Sequence, residues 1–460
     1  MLKLLIRKDI LAHLLSYRFL LTLALFFVLV VSSVQVIALN YDRQAQSFAE
    51  AKRAQEEKLK ESTDFRSLRW TGIQAEKPPN ALSIFAMGLE KEMARSVLVS
   101  GVQEAKLGRS KYANPLYVLF TAPDLLYIVN IVGSLLALLF AFDSICGEQE
   151  EGTLQLIMAN AVPRHIVLLA KWIGGYIALV LPFMLCILFA VFLAQATTDL
   201  SLTGEEWSTL GGMLAVAALY MSVFFALGLM ISTLTHRSAT SLVLSFLVWV
   251  LLVLVIPNTA PIVARAAAAV PSAGVIASQR EAIQREVWSE MRQRMRGADR
   301  DARRKLRDEA RERIGTETDK LLADYLEKVD QQIETSILLA RISPSANYVY
   351  ATAGLAGSGL NDFSALREYI QRYRDEFVQW TRDEQQRRNR EAEGISDQDE
   401  RQEILDAPVD PDDLPPYAPQ RGSLGSVLVA AQTDLLILLM LNVVFFLGAY
   451  MRFLRYDLMQ

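Results

Sequence analysis

The chain has 460 residues, of which 52% are hydrophobic and 21% charged, with a formal net charge of −4. Apolar runs alternate with densely charged blocks, so the composition predicts an integral membrane protein with sizeable polar domains. Basic and acidic residues are interleaved throughout, which gives nucleic-acid binding no support. The sequence has no Gly-x-x-x-x-Gly-Lys-Ser/Thr motif, so we expect no nucleotide-binding P-loop in it.

Cysteine and histidine usage argues against metal sites and disulfides. Cys146 and Cys186 both lie outside the large polar domains, so we expect no disulfide framework to hold those domains together. There are three histidines, and neither Cys-x-x-Cys nor His-Glu-x-x-His occurs. A metal site is therefore not expected.

The first 18 residues place leucines between basic residues. This pattern predicts a basic amphipathic helix that lies in the headgroup region of a membrane. A secretory signal is the alternative, but the apolar run at residues 19–39 is longer than a typical signal core, and no convincing small-x-small cleavage site follows it. The sequence therefore favours an uncleaved first membrane span.

Six apolar runs are long enough to cross a bilayer, which takes about 20 mostly apolar residues per helix. The predicted fold class is an α-helical polytopic membrane protein with six transmembrane helices, an N-terminal interfacial helix and two mainly helical extracytoplasmic insertions. The interfacial helix is predicted at residues 1–18, and the spans at 19–39, 124–142, 172–194, 209–234, 239–256 and 426–451. The insertions are predicted at 40–123 and 257–425. The shorter connections are 143–171, 195–208 and 235–238, and the tail is 452–460.

The short connections predict the orientation of the spans, because lysine and arginine are enriched on the cytoplasmic side. If six spans alternate, the basic residues of the N-terminal helix, of segments 143–171 and 235–238 and of the tail all fall on one side. Segment 195–208 falls on the other side and contains acidic residues but no lysine or arginine. We therefore expect both termini and segments 143–171 and 235–238 in the cytoplasm, and both insertions outside it.

Within the second insertion, apolar residues recur three or four positions apart in two stretches. One runs from Leu322 to Ile337 and the other from Phe363 to Trp380, where the spacing is typical of a coiled-coil seam. We interpret them as two helices that pack on each other, in preference to a groove for a partner. A short strand is expected at residues 95–102, and the acidic, proline-containing residues 391–422 are expected to form a loose return strand or linker.

Segment 143–171 has room for one short helix, which begins near Gly152 and ends before Pro163. Glutamates lie at or before its N-terminus, where each carboxylate is favoured by about 0.3–1 kcal/mol. Gly152 permits a sharp turn, and Thr153 can cap the helix. The apolar positions that would offer a face to a cleft on a partner are Leu154, Ile157 and Met158. The residues alone support a partner-binding helix and an ordinary interfacial helix equally.

The segment from Phe142 to Lys171, FDSICGEQEEGTLQLIMANAVPRHIVLLAK, resembles the first cytoplasmic loop of type-2 ABC exporter permeases. The positions that match are Glu148, Gly152, Thr153, Leu154, Pro163, Arg164 and Lys171. The N-terminal helix is similar to the elbow helix of that family. The stretches LSIFAMGLE, ISPSANYVYATAGLAGSG and FLRYD resemble a subgroup with large external insertions that is often associated with maturation of multicopper enzymes.

The resemblance implies a non-catalytic permease subunit of the bacterial cytoplasmic (inner) membrane that exports a substrate. It implies two copies of a separate ATPase subunit, which bind ATP and Mg, so no cofactor is expected on this chain. A second permease copy, membrane lipids and a periplasmic partner are further expected partners, and the pairing is a homodimer or a heterodimer. The residues expected to couple to the ATPase are Glu148, Glu151, Gly152, Thr153, Leu154, Ile157, Met158, Pro163, Arg164 and Lys171, with His236 and Arg237 as a second contact.

Several alternatives stay open at this point. Asp124 and Asp434 lie at the outer ends of the second and sixth spans, where they either line an external mouth or, the preferred interpretation, cap the helices. The spans could relay ATPase movement to a periplasmic partner without transporting a substrate. A membrane-anchored enzyme and a sensor are less favoured, since catalytic spacings and an output domain are missing from the sequence. Uncharged polar residues inside the spans are expected to form interhelical hydrogen bonds; they are Gln35, Asn130, Ser134 and Asn442.

Overall fold

The structure, a computed structural model, describes residues 2–62, 64–90, 93, 96–100, 106–108, 123–159, 162–297, 299–395, 397–410, 413–419, 422 and 424–455. The predictions for residues 456–460 of the tail and for much of the first insertion beyond residue 100 lie outside the described residues. The chain divides into two compact units, Met1–Leu247 with Asn347–Gln460, and Val248–Ala346.

Six helices of the described residues are long and apolar enough to cross a membrane, which confirms the predicted fold class. An N-terminal helix α1 (Leu2–Leu14) precedes them. The spanning helices are α2 (Tyr17–Ser62), α4 (Leu125–Ile128, a π-helical segment Val129–Gly133 and Ser134–Ala141), α7 (Arg164–Thr197), α8 (Gly204–Leu234), α9 (Ser238–Trp249, a π-helical segment Val250–Val255 and Ile256–Ala267) and α15 (Leu424–Leu454).

The remaining helices lie in the connections. They are α3 (Phe65–Thr71), α5 (Cys146–Glu150), α6 (Thr153–Ala159), α10 (Ala273–Met295), α11 (Arg300–Ala340), α12 (Pro344–Ala356), α13 (Leu360–Glu391) and α14 (Gln398–Asp406). Residues 391–422 were expected to be loose, but α14 is a regular helix, and its N-terminus is capped by the Asp397 carboxylate, which accepts a hydrogen bond from the Asp399 amide.

The first insertion contains a three-stranded antiparallel sheet, β1 (Ile73–Glu76), β2 (Ser96–Val99) and β3 (Lys106–Gly108), in that order. Ile73 pairs with Val99, and Ser96 pairs with Gly108. Alternate residues of β1 and β2 are buried, as expected for strands with one face on a core. The strand predicted at residues 95–102 is confirmed for Ser96–Val99.

The seam on α13 packs against the first insertion, a partner that its spacing did not indicate. Phe377 is fully buried beside Phe65 of α3 and Val97 of β2. Arg388 of α13 lies over the Phe65 ring, with its guanidinium carbon 4.8 Å from the ring centroid, and donates a hydrogen bond of 2.6 Å to the Ala407 carbonyl. The two insertions thus share one core, whose buried residues are Phe65, Leu68, Ile73, Ala75, Met93, Val97, Val99, Leu366, Ile370, Tyr373, Phe377 and Val409.

Unit Val248–Ala346 contains an antiparallel pair of charged helices, α10 and α11. Val287, Met291 and Ala310 form a small buried core between them. Ion pairs join the same two helices at their surface, between Arg294 and Glu309 at 2.8 Å and between Arg313 and Glu290 at 2.7 Å. Such exposed pairs contribute about 0–1 kcal/mol each, so the apolar contacts set the pairing. Helix α11 also packs against the Ile256–Ala267 portion of α9.

Helix α8 is the most buried of the spans and packs against α4, α7 and α15. Tyr220 of α8 donates to the Asn130 side-chain oxygen at 2.8 Å, and Ser222 donates to the Asn442 side-chain oxygen at 3.2 Å. Gln35 of α2 donates to Thr197 of α7 at 2.5 Å. Gln35, Asn130 and Asn442 therefore form the expected interhelical hydrogen bonds. The Ser134 hydroxyl donates to a carbonyl of its own helix.

Gly228 allows α8 to approach α4 closely. A Cβ added there would lie 2.8 Å from the Ala141 Cβ and 3.2 Å from the Leu138 carbonyl oxygen. We expect Gly228→Ala to destabilise the protein by about 1–3 kcal/mol because the helices must move apart. Gly211 of the same helix is the control, since nothing lies within 4 Å of a Cβ added there.

Thermal unfolding of both variants in one detergent tests this prediction. Gly211→Ala is expected to stabilise the protein slightly, by up to about 1 kcal/mol, because alanine is the better helix former. Equal losses at both positions would contradict the assignment of a close helix contact at Gly228.

Candidate functional site

Segment 143–171 forms two short helices between the α4 and α7 spans. The chain leaves α4 at Ala141, forms α5 and α6, and begins α7 at Arg164. Gly152 joins α5 to α6 with a φ of +72°, a left-handed conformation that glycine adopts without steric cost. Nothing lies within 4 Å of a Cβ added at Gly152, so its backbone conformation, not space, favours glycine. This is the sharp turn expected from the sequence.

Glu148 links three helices through an ion bridge. Its carboxylate lies 2.9 Å from the Lys171 ammonium of α7 and 3.3 Å from the Lys8 ammonium of α1. The side chains of Glu148 and Lys171 are only 17% and 8% exposed, whereas that of Lys8 is 50% exposed. The bridge therefore fixes α5 to α7 mainly through Glu148 and Lys171. Both residues were predicted to belong to the site, but an ion pair between them was not.

Serines at and beside the α8–α9 turn also hold α5. The Ser232 hydroxyl accepts hydrogen bonds from the backbone amides of Ile145 at 3.0 Å and Cys146 at 3.2 Å, where α5 begins. Ser238 donates to the Glu150 carboxylate at 2.5 Å. Ser241 donates to the Phe142 carbonyl at 2.6 Å. The amides at a helix start need acceptors, so Ser232 satisfies two donors that α5 cannot.

The sequence prediction missed these serines. It singled out His236 and Arg237 of the same turn, and both are exposed. The contacts to α5 come instead from the hydroxyls that flank the turn. A serine hydroxyl in an apolar helix can equally donate a hydrogen bond to a carbonyl of its own helix. The positions of these serines in the sequence therefore did not indicate a contact to α5.

The predicted apolar face of α6 is turned toward the protein. Leu154 is fully buried in a cluster with Ile145, Leu168, Leu229 and Phe453, and Ile157 and Met158 pack against that cluster. The prediction that Leu154 offers its side chain to a partner is therefore corrected, since it fills the protein's own core. Ile157 and Met158 are partly exposed, and their contact with a partner stays a prediction. The residues that α6 and the preceding turn expose are Glu151, Gln155, Leu156 and Ala159.

Other predicted residues of the segment have structural contacts. Arg164 donates to the carbonyls of Phe453 at 2.8 Å and Leu454 at 2.9 Å, and so satisfies the C-terminal end of α15. Pro163 is the residue before α7. Thr153 does not act as the expected cap; its hydroxyl donates to the Glu148 carbonyl at 3.2 Å. The segment is thus fixed to α1, α7, α8, α9 and α15.

Comparison with known proteins identifies the family. A family model described as ABC-2 family transporter protein matches residues 4–458 of the chain. The chain belongs to the ABC-2 transporter family. This finding confirms the resemblance to type-2 ABC permeases and, with the six apolar helices, identifies a multi-pass membrane subunit of an ABC transporter.

One curated relative supports the same assignment. The probable ABC transporter permease protein NosY of Stutzerimonas stutzeri is 30% identical to this chain over 138 residues, which is 29% of this chain and 49% of NosY. The chain therefore matches about half the length of that ABC transporter permease.

At the other end of the spans of this ABC-2 subunit, the two predicted aspartates differ. Asp124 caps α4, because its carboxylate accepts hydrogen bonds from the amides of Tyr127 at 2.8 Å and Met87 at 2.7 Å. Asp434 is 3% exposed and lies well inside α15, which begins at Leu424. The expectation that Asp434 caps a span is wrong, because the helix extends beyond its apolar run.

Proposed function

We propose that this ABC-2 subunit couples ATP hydrolysis on a separate ATPase to export across the cytoplasmic membrane, and that α5 and α6 are the elements through which it does so. The observation that carries the proposal is the attachment of these two short helices to five others. A segment that transmits movement must not yield when it is pushed. The Glu148 bridge and the Ser232 contacts supply that stiffness.

The exposed face of α6 is the surface that we assign to the ATPase. Leu156 is 69% exposed, and Gln155 and Glu151 are exposed beside it. An exposed leucine with polar neighbours is suited to a small pocket on a partner, where one apolar side chain is desolvated within a polar rim. Behind it, Leu154 anchors α6 in the cluster that includes Leu229 of α8 and Phe453 of α15.

The full complex that we propose contains two ATPase copies, which bind ATP and Mg, and a second permease copy. Both termini and segment 143–171 would face the cytoplasm. This arrangement rests on the family membership and on the basic residues of the short connections.

Leu156→Glu is expected to weaken ATPase binding by about tenfold or more, because a carboxylate replaces an apolar contact in a desolvated pocket. The variant should fold normally, since the side chain is exposed. Co-purification with the partner ATPase, and stimulation of its ATP hydrolysis in nanodiscs, measure the effect.

Leu322→Glu is the matched control, because Leu322 is also an exposed helical leucine, 42% exposed, but lies in the second insertion. It should bind and stimulate the ATPase like the unmodified protein. Normal ATPase stimulation by Leu156→Glu, or an equal loss in Leu322→Glu, would remove the basis for assigning the contact to α6.

A second function, relay of ATPase movement to a periplasmic partner without transport, is supported by the contacts at the Asp124 end of α4. The Leu126 amide donates to the Phe85 carbonyl at 3.0 Å, and the Ser358 hydroxyl donates to the Ala86 carbonyl at 2.8 Å. The first bond attaches α4 to the first insertion, and the second joins the two insertions, which share the core around Phe377. A relay would move spin labels on that core upon ATP binding in sealed vesicles that accumulate no cargo; labels that stay fixed would exclude it.

A further inference from the structure

A cleft of about 900 Å³ lies between α1, the beginning of α2 and the junction of α4 with α5. Its lining includes both charged and apolar side chains. The charged residues that line it are Asp9, Arg18, Asp143, Glu148, Glu151 and Lys171. The apolar side chains include Leu21 of α2, Phe140 of α4 and Leu242 of α9. A cavity with such a mixed lining matches a ligand that is itself amphipathic.

Asp9 is the residue of the cleft that most requires a ligand. It is 9% exposed, and the Lys171 and Lys8 ammonium groups act on its carboxylate through their charge but form no hydrogen bond with it. Close packing of α1 on α7 fixes its position, because a Cβ added at Gly174 would lie 3.0 Å from the Asp9 Cβ and 3.1 Å from the Ile6 carbonyl oxygen. Burial raises the pKa of the Asp9 carboxyl, and the nearby Lys171 ammonium opposes that shift.

The charges of the cleft favour a cation. Arg18 pairs with Asp143 at 2.7 Å, and Lys171 pairs with Glu148 at 2.9 Å. Lys8 lies 3.3 Å from the same Glu148, so the four carboxylates of the cleft, which include Asp9 and the exposed Glu151, face three cations and leave an excess of one negative charge. Within the described part of the chain, His, Cys, Asp and Glu side chains form no group of three that could hold a metal ion. The cation that suits these separated carboxylates is an organic ammonium.

The apolar side chains of the cleft indicate which chemical group is attached to that ammonium. Leu21 and Leu242 are 54% and 37% exposed, and both belong to helices that are apolar enough to span the membrane. They therefore lie where an acyl chain can contact them. Arg18, with 71% of its side chain exposed, has further N–H groups for a phosphate, since a guanidinium carries five donors.

We propose that this cleft binds an aminophospholipid of the adjoining leaflet, with its primary ammonium between Asp9 and Glu151, its phosphate at Arg18 and an acyl chain along Leu21 and Leu242. A primary ammonium has three N–H donors for carboxylates, whereas a quaternary ammonium has none. The site thus selects phosphatidylethanolamine over phosphatidylcholine. The proposal does not rest on the assignment of α6 to the ATPase. Glu151 also lies in the surface assigned to the ATPase, so the lipid is measured on the protein without the ATPase.

Competition between lipids tests the proposal. The protein is reconstituted in nanodiscs of equal parts phosphatidylethanolamine, phosphatidylcholine and phosphatidylglycerol, and the lipid that remains bound after transfer to detergent is identified by native mass spectrometry. We expect about tenfold or greater enrichment of phosphatidylethanolamine over phosphatidylcholine, as charge-assisted hydrogen bonds predict. Equal retention of these two lipids, or preference for phosphatidylglycerol, would overturn it.

Two variants locate the site. Asp9→Asn and Glu151→Gln should each abolish the enrichment. Because the Glu151 side chain is exposed, Glu151→Gln should fold and keeps the test valid if Asp9→Asn does not fold. Asp199→Asn, an exposed carboxylate in the loop between α7 and α8, should bind lipid normally. Enrichment that survives Glu151→Gln refutes the site. Displacement of the lipid by millimolar ethanolamine would assign the cleft to soluble amines and refute the membrane source.

Discussion

Glu148→Gln is expected to destabilise the protein by about 3–5 kcal/mol, because it leaves the Lys171 ammonium buried without the carboxylate that it pairs with. Lys171 is only 8% exposed and lies 2.9 Å from Glu148, so water replaces little of the lost interaction. Asp9 also lies near enough to Lys171 for the two charges to interact, which keeps the expected loss at the lower end of that range. Denaturant titration in mixed micelles measures the free energy of unfolding.

Two companion variants separate this bridge from general damage to the segment. Lys8→Met should cost only about 0–1 kcal/mol, since the Lys8 side chain is half exposed. The double variant Glu148→Gln with Lys171→Met should recover most of the loss, because it removes the buried charge as well as its partner. Equal losses in Glu148→Gln and Lys8→Met, or no recovery in the double variant, would contradict a buried bridge.

The same series bears on the proposed coupling. If α5 transmits movement because it is fixed to α7, stimulation of the ATPase should fall in Glu148→Gln and stay near normal in Lys8→Met. The double variant should regain stability but not the full stimulation, since its neutral side chains pack without an ionic tie between α5 and α7. If a variant without the bridge stimulated the ATPase normally, coupling would not depend on the attachment of α5 to α7.

The spans could be predicted because each one depends on the composition of about 20 consecutive residues, which the sequence displays directly. The turn at Gly152 could also be predicted, since a positive φ is a local property of glycine. The ion bridge could not, because Lys8 and Glu148 are 140 positions apart and no periodicity connects them. The contacts of Ser232 with Ile145 and Cys146 could not be predicted either, because these residues are also far apart in the sequence.

The seam on α13 shows a different limit. The spacing of its apolar residues correctly predicted a helix with one apolar stripe. Such a pattern does not identify the surface that packs against the stripe. The partner turned out to be α3 and the sheet of the first insertion, which lie nearly three hundred positions earlier in the chain. Likewise, the apolar face of α6 was predicted correctly as a pattern, and only the structure showed that Leu154 is covered by α8 and α15.

The shared core of the two insertions makes Phe377→Ala the second large prediction. Phe377 is fully buried among residues of α3, β1 and β2, and its ring lies 5.8 Å from that of Trp380. Removing the ring leaves a cavity in a core built from short elements, so we expect a loss of about 3–5 kcal/mol. Gln379→Ala, two positions along on the exposed side of α13, should change stability by less than about 0.5 kcal/mol.

Phe65→Ala distinguishes a shared core from a pair of helices that stabilise each other. Phe65 belongs to the first insertion, is 1% exposed and lies 6.3 Å from the Trp380 ring. In a shared core its removal should cost about as much as that of Phe377, roughly 3–5 kcal/mol, and should expose α13 to proteolysis together with the first insertion. Proteolysis that cuts the first insertion while leaving α13 protected would show that the two insertions unfold separately, and a relay through Asp124 and Ser358 would then have no single rigid body to move.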